Sequence, residues 1–121
     1  MQLEKLNEQI EEATLDFTLG DHGSAIEKLR KVLSIKEDLF DAWHALTEIY
    51  YAEKEFEEAL SCAESADKIN PNDLHINTSL SRIWLAHNDK EKAEYFGAQA
   101  RMLGWKEELK NPEEDDVIES S

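Results

Sequence analysis

Cysteine is almost missing from this chain. Cys62 stands alone, so no internal disulfide and no Cys–Cys zinc pair can form. A reducing, cytoplasmic setting suits such a sequence. Proline occurs only at Pro71 and Pro112, and the four glycines are scattered at 20, 23, 97 and 104. That scatter excludes a phosphate-binding loop, which needs clustered glycines at a strand–helix turn. No run of about 18 apolar residues exists, so nothing reads as a membrane span. The opening Met1-Gln2-Leu3-Glu4-Lys5 enters a charged amphipathic pattern, not the apolar stretch of a signal peptide. No segment alternates with period two, so no strands are expected.

Positive charge is the other shortage. Thirteen Lys and Arg face 28 Asp and Glu, a net charge of −15 over 121 residues. Residues 111–121 hold Glu113, Glu114, Asp115, Asp116 and Glu119 without a basic partner, and the preceding residues still carry −10. Acidity is therefore spread over the body. The same charge that keeps a protein soluble repels nucleic acid and anionic membrane, and it favours basic or neutral partners.

What the chain does have is a period. Ala25, Ala59 and Ala93 lie 34 residues apart. Leu15, Ile49 and Ile83 share that offset, as do Val32, Ala66 and Ala100, the small residues Ala13, Thr47 and Ser81, and acidic Asp21, Glu55 and Asp89. A fixed period over most of a short chain signals one supersecondary unit stacked three times. Trp43, Leu46 and Tyr50 recur at i, i+3 and i+7, the spacing of one helix face, while small Ala59 and Ala66 let a second helix approach. Asp38, Asp73 and Asp89 read as N-caps, and the Gly20-Asp21-His22-Gly23 turn breaks the first hairpin. Helices are expected near 2–19, 23–35, 39–53, 56–69, 74–87 and 90–103.

The middle copy reads Trp43-x2-Leu46-Thr47-x2-Tyr50, then Ala59, Ala66 and Pro71. It resembles the tetratricopeptide repeat, a helix–turn–helix with the signature W-x2-L-G-x2-Y, A-x3-F, P. Thr47 replaces the preferred glycine and Ala63 the phenylalanine. The third copy keeps Leu80, Ser81, Trp84, Ala93 and Ala100 but has Gly97 at the phenylalanine site. The first keeps Ala13, Gly20-Asp21, Ala25 and Leu29, yet has Gln9 and Glu12 where Trp and Leu belong.

The resemblance implies an all-α, right-handed superhelical solenoid of three antiparallel helix hairpins with a short C-terminal cap. The repeat domain is expected over residues 1–110, with copies at about 6–39, 40–73 and 74–107. Leu3 and Leu6 are expected to close the N-terminal end. Trp105 and Leu109 are expected to form a capping turn, with Trp105 settling beside Gly97. Residues 111–121 are read as an acidic, disordered tail.

In that family the first helix of each hairpin lines an inner groove. Residues outside the Trp43-Leu46-Tyr50 seam are then groove candidates: Asp41, His44, Glu48 and Tyr51 in the second copy, and His75, Thr78, Arg82 and Leu85 in the third. Asn7, Ile10, Thr14 and Phe17 are their counterparts in the first. Two bland readings compete: Tyr51 and Leu85 as packing between repeats, and Arg82 paired with Glu48 as structural glue. His44 and Glu48, spaced i, i+4, together with His75 are the only set worth weighing as metal ligands, but a metal site needs a further firm ligand and a second shell that the sequence does not signal, so lining a polar groove is the expectation. No nucleophile–base arrangement is signalled, so no catalysis and no cofactor are expected. A carboxylate clamp of the co-chaperone kind needs Lys, Asn and Arg on the inner helices. This face instead offers Ile10, Thr14, Ala45, His75 and Ser79, with only Arg82 basic. The expected function is a cytoplasmic adaptor or scaffold that binds a basic or amphipathic protein segment in the groove. The alternatives are a secretion-type chaperone and an oligomer built by stacking repeats; a homo-oligomer stays open.

Overall fold

The structure, a computed structural model, describes residues 2–110. Six helices follow one another: α1 (Gln2–Thr18), α2 (His22–Ile35), α3 (Phe40–Ala52), α4 (Phe56–Ile69), α5 (Leu74–Ala86) and α6 (Lys90–Lys110). No strand occurs among the described residues. Consecutive helices pack as pairs, α1 on α2, α3 on α4 and α5 on α6, and the pairs stack through α2–α3 and α4–α5. First helices also touch one another, α1 with α3 and α3 with α5, whereas α2, α4 and α6 do not. The first helices therefore form the crowded inner side and the second helices splay outward.

The period is written into the turns. Gly20, Lys54 and Asn88, 34 residues apart, all take left-handed backbone, with φ of +89°, +63° and +64°. One residue later the N–H of Asp21, Glu55 and Asp89 reaches back to the carbonyl of Asp16, Tyr50 and Trp84 at 2.8–2.9 Å. This five-residue return ties off the last turn of α1, α3 and α5. Asp21 and Asp89 then cap the next helices, accepting from the N–H of Ser24 and Lys92 at 3.2 and 3.1 Å. Asp73 does the same for α5 with Ile76 at 2.9 Å. The expected cap at Asp38 does not form. Leu39 precedes α3 without a side-chain cap, and the Asp38 carboxylate lies 3.1 Å from the Lys36 ammonium instead.

Between hairpins a second contact repeats with different chemistry. The Trp43 indole Nε1–H donates to the Glu37 carbonyl at 2.7 Å. Asn77 stands 34 residues on, where the family prefers tryptophan, and its Nδ2 donates to the Pro71 carbonyl at 3.1 Å. The same loop carbonyl is thus satisfied by an amide in place of an indole. Trp43 and Tyr50 pack against both halves of the core, one half centred on Leu29, Leu46 and Ile49 and the other on Ile76, Leu80 and Ile83.

The two ends of the stack differ. Ala42, Leu46 and Ile49 are fully buried, as are Ile76, Leu80 and Ile83 one period later, because a preceding hairpin covers them. At the same phase α1 has Glu8, Glu12 and Leu15, all exposed. The departure of Glu12 from the family pattern is therefore a polar end cap, which a terminal repeat requires. Leu6 is buried there as expected, while Leu3 is half exposed. At the other end the expected capping turn is replaced by helix: α6 runs unbroken to Lys110, and Trp105 and Leu109 face outward. Trp105 does not fill the space beside Gly97. A Cβ at Gly97 would sit 3.2 Å from Ser81 Oγ, so the glycine lets α5 and α6 approach there. Ser81 in turn donates to the Ala93 carbonyl across that contact at 2.7 Å. The expectation for residues 111–121 lies outside the described residues.

Candidate functional site: the inner groove

Because α1, α3 and α5 stand side by side, residues at matching phase form rows across the groove. Asn7, Asp41 and His75 make one row, Ile10 and His44 begin another, and Thr14, Glu48 and Arg82 make a third. The junction of α3 with α5 is closed along these rows. Arg82 Nη2 donates to both Glu48 oxygens at 3.0 and 3.2 Å, and buried Ser79 donates to Glu48 Oε2 at 2.7 Å. The Arg82 guanidinium also lies over the Tyr51 ring, 4.7 Å from its centroid. His44 stacks between Phe40 and His75, with centroid separations of 5.9 and 6.3 Å. Glu48, Arg82 and Tyr51 are therefore tied to one another across the repeat boundary. The pairing reading of Arg82 is the one that the geometry supports.

The junction of α1 with α3 has no such clasp. At the matching phase Thr14 and Ala45 stand where Glu48 and Ser79 stand in the next repeat, and the Thr14 hydroxyl donates to its own helix, to the Ile10 carbonyl at 2.9 Å. What remains is a cleft of about 450 Å³. Ile10, Phe17, Ala45 and Ile49 give it an apolar lining, and Glu11, Asp41, His44 and Glu48 stand around it. Asp41 and Glu11 are exposed, and among the described residues neither side chain forms an ion pair or hydrogen bond.

The proposed groove residues thus fall into two sets. Asp41 and His44 border the cleft, together with Ile10, Thr14 and Phe17 from the first copy. Tyr51, His75 and Arg82 belong to the closed junction, with Glu48 shared between the two. Thr78 is exposed on α5, its hydroxyl bonded to the Leu74 carbonyl, and outside both. Asn7 is exposed and also outside the cleft lining. Glu11 and Ile49 are not among the groove residues expected from the sequence, and Ala45 enters there only on the face weighed for a carboxylate clamp. Ala45 and Ile49 flank the Trp43-Leu46-Tyr50 seam, and periodicity alone does not separate seam from groove margin. Glu48 and His75 do not converge as ligands with His44, and no group of three or more His, Cys, Asp or Glu side chains among the described residues could hold a metal ion.

The family model described as Tetratricopeptide repeat matches residues 17–83. The chain belongs to the tetratricopeptide-repeat family. That membership supports a protein-interaction scaffold. Two solved structures share the fold. The Type III secretion translocator chaperone SycD of Yersinia enterocolitica superposes with a TM-score of 0.80 at 13% identity, over 97% of this chain and 88% of that one. MamA superposes with a TM-score of 0.75 at 17% identity over 89% of this chain, which spans 57% of MamA. No curated protein matches the chain in sequence. No helix among the described residues is long and apolar enough to cross a membrane.

Proposed function

We propose that this protein is a binding adaptor without catalytic activity, and that its partner inserts an apolar side chain into the cleft between α1 and α3. The observation that carries the reading is the contrast between the junctions: the polar inventory of the groove is spent at α3–α5, while α1–α3 keeps an open apolar floor beside unpaired Glu11 and Asp41. A segment with an apolar anchor flanked by Lys or Arg complements that surface. A cytoplasmic setting is part of this reading, in keeping with the single, buried Cys62. The secretion-chaperone alternative draws support from the superposition on SycD over nearly the whole chain. Both readings place a partner segment in the groove.

Selection of random peptides from a display library tests the site. Selected peptides should carry Lys or Arg within one helical turn of a large apolar residue. They should bind near micromolar, roughly −8 kcal/mol, and more weakly as salt rises. Ala45→Glu, which puts a charge on the cleft floor, should abolish binding without changing the helical circular-dichroism signal. Selected peptides that bind this variant as well as the parent would place the site elsewhere.

A further inference from the structure

Helix α6 is apolar on two opposite faces. One face packs on α5 through Ala93, Phe96, Gly97 and Ala100. The other presents Tyr95, Ala98, Met102, Trp105 and Leu109, spaced 3, 4, 3 and 4 residues apart. Four of these five are large and open to solvent, with exposures of 59% for Tyr95, 53% for Met102, 69% for Trp105 and 79% for Leu109. A 3-4-3-4 apolar stripe is the seam of a two-helix coiled coil, and nothing within the described chain covers it. No other helix leaves a stripe of this kind exposed: the one on α1, Leu3, Leu6, Ile10, Ala13 and Phe17, is largely buried against its neighbours. The outward face of α1 reads Glu8, Glu12 and Leu15, the composition of a solvated end.

We propose that a second copy of this chain covers the stripe, with the two α6 helices antiparallel across a two-fold axis. Charge argues for that occupant. The chain carries −15, and α1 alone has five acidic side chains against one basic. In contrast α6, the helix that carries the stripe, has five basic against four acidic, so two copies meet along it with little repulsion. Pairing Ala98 with the partner's Leu109 places small against large, pairing Met102 with the partner's Trp105 sets two large side chains together, and both contacts repeat through the axis, as an isologous contact must. In that register Arg101 lies beside the partner's Glu108, and Gln99 beside the partner's Lys106, each twice. A parallel pairing would instead set Arg101 against the partner's Lys106. Among the described residues neither Arg101 nor Glu108 forms an ion pair. The inner groove lies on α1 and α3, so self-pairing through α6 leaves it open.

Sedimentation equilibrium of the full chain decides the matter. The mass should rise from 13.9 kDa towards twice that value as the concentration climbs from about 5 to about 200 µM. Trp105→Glu and Leu109→Glu should each leave a monomer with unchanged helicity. Arg101→Glu and Glu108→Arg should each weaken pairing by about fivefold, and the double exchange should restore it. A chain that stays monomeric throughout, or a dimer indifferent to Trp105→Glu, overturns the proposal. So does a dimer in which the two charge exchanges fail to compensate. A monomer that dimerises only when cut after Lys110 would assign the stripe to residues 111–121 and equally overturn pairing in the full chain.

Discussion

The two junctions of the inner groove are built from the same rows and end in opposite states. Between α3 and α5, Glu48 finds Arg82 and Ser79, and the groove is sealed by a polar clasp. Between α1 and α3, Thr14 meets Ala45, and an apolar cleft is left open. Repeat proteins divide labour in this way: identical backbone geometry, with side chains at one phase deciding whether a boundary is glue or a binding surface. Exposure of a groove residue is therefore a poor guide to its role until its neighbour 31 or 34 residues on is known.

The largest effect should come from the residue that spans both junctions. Trp43 packs against both halves of the core and also donates its indole N–H to Glu37. Trp43→Ala should cost about 3–5 kcal/mol in urea unfolding, and unfolding should remain a single transition because the core halves lose their shared bridge together. A loss below about 1 kcal/mol would mean that the halves hold without it.

Next comes the clasp. Glu48→Ala removes the acceptor of a buried serine hydroxyl and leaves Arg82 unpaired, so a cost of about 1–2 kcal/mol is expected. A double-mutant cycle with Arg82→Ala should recover only about 0.5 kcal/mol as ion pairing, because the Arg82 and Glu48 side chains are 43% and 32% exposed. The remainder belongs to Ser79. A coupling above about 2 kcal/mol would make Arg82 the main support of the junction.

Much of this was legible in the sequence. The 34-residue period, six helices and the Trp43-Leu46-Tyr50 seam follow from spacing, because buried faces repeat at helical intervals. Three features did not follow. The capping turn expected from Trp105 and Leu109 does not form, because Gly104 lies inside α6 and nothing there stops the helix. The clasp was visible only as one of two readings, since Glu48, Ser79 and Arg82 are joined by tertiary contact. The cleft arises from what α1 and α3 lack at Thr14 and Ala45, and a lack has no motif. The turn conformation left a trace that was easy to overlook: Gly20 in one copy, with Asn88 and Lys54 in its phase.

That turn gives a smaller effect within the middle hairpin, on which both junctions depend. Lys54 adopts φ of +63° where the first copy has glycine. Left-handed backbone costs a side-chain-bearing residue about 1–2 kcal/mol, partly offset by the greater unfolded-state freedom of glycine. Lys54→Gly should therefore stabilise the fold by about 0.5–1 kcal/mol, whereas Asn88→Gly should give less, since asparagine tolerates this region. Equal gains at the two sites would show that the turn does not discriminate between side chains.

The smallest effect separates the α1–α2 hairpin from the rest by its response to acid. Asp16 on α1 accepts from Lys28 Nζ at 2.7 Å and from Ser24 Oγ at 3.1 Å, both on α2. The Lys28 ammonium, foremost, and the serine hydroxyl hold this carboxyl below its usual value of 3.8. A lowered carboxyl favours the folded state fully above 3.8, and its contribution fades as pH falls through the lower folded value. Asp16→Asn should thus reduce stability slightly near neutral pH, as exposed pairs do, and the gap to the parent should close as pH falls below 3.8 and through the lower folded value. Thermal unfolding at several pH values reads this directly. A gap that persists unchanged into acid would show that Asp16 acts through its shape and hydrogen bonds, with its charge contributing nothing.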